Sequence, residues 1–198
     1  MNPAIAVTLS RVVIAPVFAY FFITGFTHAH STAWVWICAL IALLIEITDV
    51  LDGRIARARN QVTDFGKVCD PVADSLSRQT IFISFLVAGI IPWWLYLVFF
   101  YRDAFLQLLR IICASGGLVL AARQSGKLKA VLQGMGTFGV LTVVALQIYH
   151  VPWMPSRLWG FHPGFWVMVI PAVFTLLSVA DYVIPNVGLI KKMVEVKK

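Results

Sequence analysis

Long apolar runs separated by short connections dominate the chain, and each run carries a continuous helical pattern. A helix that crosses a bilayer needs about 20 mostly apolar residues, and lipid tolerates no open strand edge. The runs therefore predict six transmembrane helices, over Val7–Phe26, Ala33–Ile55, Pro71–Gly89, Pro92–Ala122, Leu128–His150 and Phe165–Ile184. The fourth exceeds one plain span, which predicts a tilt or a protruding end. The few residues before Val7 are expected at the interface.

One stretch breaks the apolar pattern: Asp49 to Asp74, DVLDGRIARARNQVTDFGKVCDPVAD. It closes the second predicted helix and opens the third. Positions three, four and seven apart share a helix face. Asp49, Asp52 and Ala56 have that spacing, and so do Asp70 and Asp74. Two antiparallel helices joined by a loop can aim all four carboxylates at one point.

Composition sharpens the class. Apolar residues make up 60% of the 198 and charged residues 13%, against about 25% charged in a soluble domain. The reading is an integral membrane protein of one domain, 1–190, with a basic cytoplasmic tail at 191–198. The formal net charge of +7 points to cytoplasmic loops and anionic lipid, not to nucleic acid, because no long basic run exists outside the tail. Cys38, Cys69 and Cys113 lie far apart without a CxxC and suggest neither zinc nor a disulfide framework. The first apolar stretch lacks a basic leader and a small-residue cleavage site and is read as retained.

Lysine and arginine orient the chain. With the N-terminus inside, the cytoplasmic connections hold Arg54, Arg57, Arg59, Lys67, Arg123, Lys127, Lys129, Lys191, Lys192, Lys197 and Lys198, whereas the outer connections hold Arg157. That asymmetry puts the acidic stretch on the cytoplasmic side. Trp93, Trp94, Trp153 and Trp159 fall near the outer ends, where an aromatic belt is expected.

Four converging anions repel unless one takes up a proton or a cation answers them. Carboxylates without His or Cys favour hard ions, Mg²⁺ or Mn²⁺. Two such ions are a known way to hold phosphoryl oxygens during displacement. Gly53, Ala56 and Gly66, with little or no side chain, would let a flat group approach the backbone. For any single aspartate the plain alternative is a surface acid paired with Arg54, Arg57, Arg59 or Lys67. Four acids at these spacings argue for metal.

The pattern D-x-x-D-G-x-x-A-R, eight residues, G-x-x-x-D-x-x-x-D is present as Asp49, Asp52, Gly53, Ala56, Arg57, Gly66, Asp70 and Asp74. It resembles the signature of the CDP-alcohol phosphotransferase family of membrane enzymes. Thr8 to Arg11 with Pro16, Asn60 to Lys67, Asp70 to Asp74, Pro92 to Trp94, Arg102-Asp103, Leu109-Arg110 and Gly126 to Lys129 look like the branch that makes phosphatidylglycerophosphate. The resemblance runs from about Thr8 to Gln133. Ser75 stands where that branch often has Lys, Ala130 where Thr is common, and Pro3 lacks the usual following Asn.

The resemblance implies a six-helix fold, a homodimer, and a polar cavity open to the cytoplasm of a bacterial inner membrane. Asp49, Asp52 and Asp70 would hold two metal ions on the pyrophosphate of CDP-diacylglycerol, with Asp74 contributing to the second. Asp74 would also be the catalytic base for the acceptor hydroxyl. Gly53, Ala56, Arg57 and Gly66 would line the cytidine site, and sn-glycerol 3-phosphate would be the acceptor. Other acceptors for the same chemistry are inositol phosphate, serine or another alcohol. A divalent-cation transporter is the reading from another class, and it predicts acids spread along a pore.

Charges within spans are costly unless paired or wet. Asp103, Gln107 and Arg110 share a face of the fourth helix. Arg110, Lys127 and Lys129 are candidates for an acceptor phosphate, because several cations focus on a dianion. Arg78, one turn beyond Asp74, serves the same site or balances its charge. Arg102 or Arg110 could equally pair with Asp103 or Asp181. Arg11 suits lipid headgroups as well as substrate, and Glu46 has no evident role. Gly134-x-Gly136-x-x-Gly139 matches a dinucleotide fingerprint, but without a preceding strand it reads as close helix packing. His28, His30, His150 and His162 are too scattered for a metal site.

Overall fold

The computed structural model describes the backbone of residues 3–28, 32–58, 64–115 and 124–188, and the side chains there except at 3–5, 50–58, 64–68, 113–115, 124–125, 127 and 185. Six α-helices run through these residues: α1 (Pro3–His28), α2 (Ala33–Ala58), α3 (Asp64–Val87), α4 (Trp93–Ser115), α5 (Gln124–Ile148) and α6 (Pro163–Val183). Each predicted helix is present. There is no β-strand among the described residues, only an isolated bridge between Leu158 and Phe161. The basic tail lies outside the described residues.

Boundaries differ in two places. Helix α3 starts at Asp64, not at Pro71, which sits inside it. The expected span followed the apolar run, and α3 also includes the polar turns from Asp64 to Asp70 that precede it. Helix α4 is described to Ser115, and the end expected at Ala122 lies outside the described residues. By length and composition, three helices qualify as membrane spans: Ala6–His28 of α1, Leu128–Ile148 of α5 and Pro163–Val183 of α6. Helices α2, α3 and α4 carry the acids and arginines of the polar stretch and its surroundings, which is what dilutes their hydropathy.

Helix α1 packs along α2 and α3, α5 along α6, and α4 joins the two groups through α3 and α6. An aromatic cluster joins the first group. Phe22 meets Phe18 and Phe85 with ring centroids 5.6 and 5.1 Å apart, and Trp34 edge-on at 5.6 Å. Phe18, Phe22 and Phe85 are fully buried. The glycine motif on α5 is a packing device, as the missing strand implied. A Cβ on Gly139 would lie 2.6 Å from Val167 of α6, and one on Gly134 would lie 3.0 Å from the Glu46 carboxylate of α2.

The turns between helices are set locally. Gly89 (φ +69) closes α3, with its N–H donating to the Leu86 carbonyl and the Ile90 N–H to the Phe85 carbonyl, both 2.9 Å. This is the Schellman pattern, with buried Phe85 and Ile90 as its apolar pair. Helix α5 ends the same way at His150 (φ 51), where His150 donates to Gln147 and Val151 to Leu146. Helix α2, 26 residues long, extends about 39 Å at 1.5 Å per residue.

The start of α6 is held by a histidine. His162 Nδ1 accepts from the Gly164 N–H at 3.0 Å, so Nε2 carries the proton and donates to Gln147 Oε1 at 2.8 Å. Burial, with the Arg157 guanidinium, holds this imidazole below the usual histidine range. The neutral ring is the one that caps, so its contribution is complete above the unfolded value of about 6.5 and declines as pH falls below it. His162→Ala should lower thermal stability in detergent at pH 8, by a helix cap worth about 1 kcal/mol. The gap from the parent protein should narrow at pH 5.5, read from parallel melting curves. A gap that widens on acidification would contradict the neutral cap.

Candidate functional site

Helix geometry brings the polar residues of five helices to one end of the bundle. There they line a cavity of about 260 Å³. Asp49 from α2 and Asp70, Asp74 and Ser75 from α3 form an acidic wall. Arg102, Asp103, Gln107 and Arg110 from α4 and Lys129 from α5 face it, with Ser178 and Tyr182 of α6 alongside. The α4 spacing of four and three puts Asp103, Gln107 and Arg110 on one face, as the sequence indicated.

Each described carboxylate has a partner. Arg11 of α1 is buried, 1% exposed. It donates to Asp49 Oδ1, and its Nη1 stands 4.0 Å from Asp74 Oδ1. Thr8, one turn earlier, donates to Asp70 Oδ1 at 2.9 Å. Arg78 donates through Nε to Asp74 Oδ1 at 2.9 Å and through Nη1 to Glu46 Oε1 at 3.2 Å and the Ala130 carbonyl at 3.0 Å. Helix α1 is thus part of the site, and Arg11 lies inside the protein rather than at the lipid surface.

Arg78 is held by two carboxylates. It is buried and bridges Asp74 to Glu46. Glu46 has its role here: it anchors the far side of the guanidinium that fixes Asp74. Gly134 makes room for it on α5, since a Cβ there would touch its carboxylate. Arg78 balances Asp74.

On the opposite wall Asp103 is the hub, 4% exposed. It takes Lys129 Nζ at 2.6 Å and Arg102 Nη1 at 2.9 Å on Oδ1, and Ser75 Oγ at 3.3 Å and Gln79 Nε2 at 3.4 Å on Oδ2. Arg102 continues to Ser178 Oγ of α6 at 2.8 and 3.1 Å. Of the alternative pairings the sequence allowed, Arg102–Asp103 is present, and Lys129 joins it. Gln107 donates to the Pro71 carbonyl, tying α4 to α3. Arg110 lies over the Tyr182 ring, 5.7 Å from its centroid, and borders the cavity.

The remaining predicted site residues fall where side chains are not described. Asp52, Gly53, Ala56 and Arg57 lie on α2 and Gly66 on α3, and the side chains of Asp52, Ala56 and Arg57 are outside the described residues, as is that of Lys127 on α5. Among the described residues no group of three His, Cys, Asp or Glu stands close enough to hold a metal. The described carboxylates are drawn onto Arg11, Thr8 and Arg78 instead. The donor chemistry nonetheless fits a hard cation: Asp49, Asp70 and Asp74 bring carboxylate oxygens to one cavity. Arg11, touching Asp49 and near Asp74, is a positive group standing between two of them.

Sequence reasoning missed Thr8, Ser75 as a hydrogen-bond donor, Ser178 and Tyr182. Thr8 carried a signal, since it sits one turn before Arg11 on the same face. Tyr182 carried none, being one aromatic among many in an apolar helix.

The family model described as CDP-alcohol phosphatidyltransferase matches residues 1–177. A Treponema pallidum CDP-diacylglycerol–glycerol-3-phosphate 3-phosphatidyltransferase is 33% identical over 146 residues, 72% of this chain and 66% of that protein. A Bacillus subtilis protein of the same name is 28% identical over 192 residues, 91% and 92% of the two chains. A third of that name, from Mycoplasma genitalium, is 30% identical over 145 residues, 71% of this chain and 59% of that one. The chain thus spans about two thirds of the Treponema relative's length. On the extent of the family match, this chain belongs to the CDP-alcohol phosphatidyltransferase family.

Proposed function

We propose that this protein is a membrane phosphatidyltransferase that moves the phosphatidyl group of CDP-diacylglycerol to sn-glycerol 3-phosphate, giving phosphatidylglycerophosphate and CMP. The observation that carries the reading is the two-walled cavity. Carboxylates from α2 and α3 face Arg110 and Lys129 across one space, so a cation-bound diphosphate and an anionic acceptor can meet there. The names of the relatives point to the same pair of substrates. All six helices span the bilayer in this reading, of a bacterial inner membrane, with the cavity on the cytoplasmic side, and the enzyme works as a homodimer.

Asp49, Asp52, Asp70 and Asp74 would hold one or two Mg²⁺ or Mn²⁺ ions. When bound, these supply charge neutralisation to the diphosphate oxygens. Gly53, Ala56, Arg57 and Gly66 would receive the cytidine. Asp74, whose Oδ1 is fixed by Arg78, takes the proton from the acceptor hydroxyl. That oxygen attacks the lipid-side phosphorus, the bond from phosphorus to the CMP oxygen breaks, and CMP leaves. Arg110, Lys129 and Lys127 hold the acceptor's phosphate. Arg78 acts through Asp74.

Inositol phosphate would use the same basic wall, whereas an uncharged alcohol would leave Arg110 facing no anion. A cation transporter is disfavoured because the described acids gather at one end of the bundle. Purified protein should release CMP only when CDP-diacylglycerol, sn-glycerol 3-phosphate and Mg²⁺ or Mn²⁺ are all present. An acceptor panel of inositol phosphate, serine, glycerol and phosphatidylglycerol tests the choice. No CMP release with any acceptor would overturn the enzyme reading, and preference for another would move the acceptor.

The site also predicts a graded series. Asp74→Asn should cost about 10²- to 10⁴-fold in turnover, as for loss of a general base, while CDP-diacylglycerol binding largely survives. Asp49→Asn should weaken binding as well. Arg110→Ala should raise KM for glycerol 3-phosphate by about tenfold or more, as for loss of a hydrogen bond to a charged group. Steady-state kinetics alongside nucleotide-lipid binding separate the three, and equal loss of binding in all of them would contradict the division of roles.

A further inference from the structure

Tyr182 is 4% exposed and lines the cavity, yet its hydroxyl has no hydrogen-bond partner among the described residues. A buried tyrosine hydroxyl ordinarily finds one, because leaving it unmade costs free energy. Its surroundings say what partner it suits. The ring carries the Arg110 guanidinium 5.7 Å from its centroid. One turn earlier on α6, Ser178 receives Arg102. The hydroxyl therefore stands in a positive region as a donor without an acceptor.

We propose that Tyr182 is a binding residue for the acceptor's phosphate. Its hydroxyl donates a hydrogen bond to a phosphate monoester in the cavity, and its ring holds Arg110 in position to bind the same group. The chemical class is a small phosphate monoester rather than a neutral alcohol. The hydroxyl can donate one hydrogen bond, and hydrogen bonds to charged acceptors are about twice as strong as neutral ones. Cation–π contact restrains Arg110 without consuming its N–H donors, so they remain for the anion. This rests on the proposed transferase reading for the identity of the ligand, but not for the existence of the subsite.

The test is Tyr182→Phe in the full chain, in detergent or nanodiscs with Mg²⁺. It keeps the ring and removes the hydroxyl. Binding of sn-glycerol 3-phosphate and of inorganic phosphate is measured by calorimetry, alongside KM for both substrates and the melting temperature. The expected result is a rise of about tenfold in Kd and KM for glycerol 3-phosphate, an unchanged KM for CDP-diacylglycerol, and no loss of thermal stability. Tyr182→Leu, which also removes the ring, should raise the acceptor KM further. Glycerol, which lacks the phosphate, should bind parent and Tyr182→Phe protein alike.

Wild-type affinity in Tyr182→Phe, a parallel rise in both KM values, or a parent protein that binds no phosphate monoester would each overturn the proposal. If the parent turns over glycerol 3-phosphate and Tyr182→Phe matches it, the subsite fails and the transferase reading stands. If the parent binds phosphate in a Tyr182-dependent way yet never uses glycerol 3-phosphate, the subsite stands and that acceptor is wrong.

Discussion

Charge compensation in a low-dielectric interior governs how this bundle closes at its polar end. A carboxylate taken out of water is costly unless a cation or several donors answer it. Five of the described acids lie at that end, and the answers come from other helices. Asp49 is met by Arg11 of α1, Asp70 by Thr8 of α1, and Asp103 by Lys129 of α5. Glu46 is met by Arg78 of α3, which also holds Asp74 of its own helix. Most of these contacts fix one helix against another, so the network sets the spacing of the helix ends. The aromatic cluster of Phe18, Phe22 and Phe85 does the same for the apolar part of α1 and α3.

The division of charge between the walls has a chemical consequence. On the acidic side the cations lie behind the carboxylates, on Arg11 and Arg78, both buried. On the basic side Asp103 is buried at the junction of Arg102 and Lys129, and Arg110 rests on an aromatic ring. Two cations against one acid leave the Asp103 cluster with a net positive charge, and Arg110 adds to it. An anion entering the cavity therefore meets positive charge from α4 and α5, and a cation meets carboxylates from α2 and α3. Groups of both signs thus have separate walls within one cavity.

The helices were legible because lipid leaves a long apolar run few alternatives. The acidic signature was legible because fixed spacing on a helix fixes the face. What was not legible depended on contacts distant in the chain. Arg78 reads identically as a substrate ligand or as a brace for Asp74, and its contact with Glu46 is 32 positions away in the chain. Glu46 itself had no reading, because its partners lie on α3 and α5. The start of α3 was missed because its first turns, from Asp64 to Asp70, are polar and fall outside the apolar run that marked the span. Tyr182 was invisible for another reason: in an apolar helix a tyrosine is as ordinary as a phenylalanine until its hydroxyl is seen without a partner.

Why the network persists follows from its energetics. A buried ion pair seldom adds stability over apolar residues of the same shape, and replacing one is often neutral or stabilising. Packing alone would have been satisfied by leucines at Glu46, Arg78, Asp103 and Lys129, as it is across the Phe18–Phe85 core. Breaking only one member is a different matter, since its partner would be left charged and unanswered. The arrangement is therefore hard to lose piecemeal while giving the fold little in return. Its return is positional: Asp74 is held by Arg78, and Lys129 by Asp103, before any ligand enters. A site that must bring two charged substrates together gains from such pre-set groups, because little ordering remains for the moment of binding.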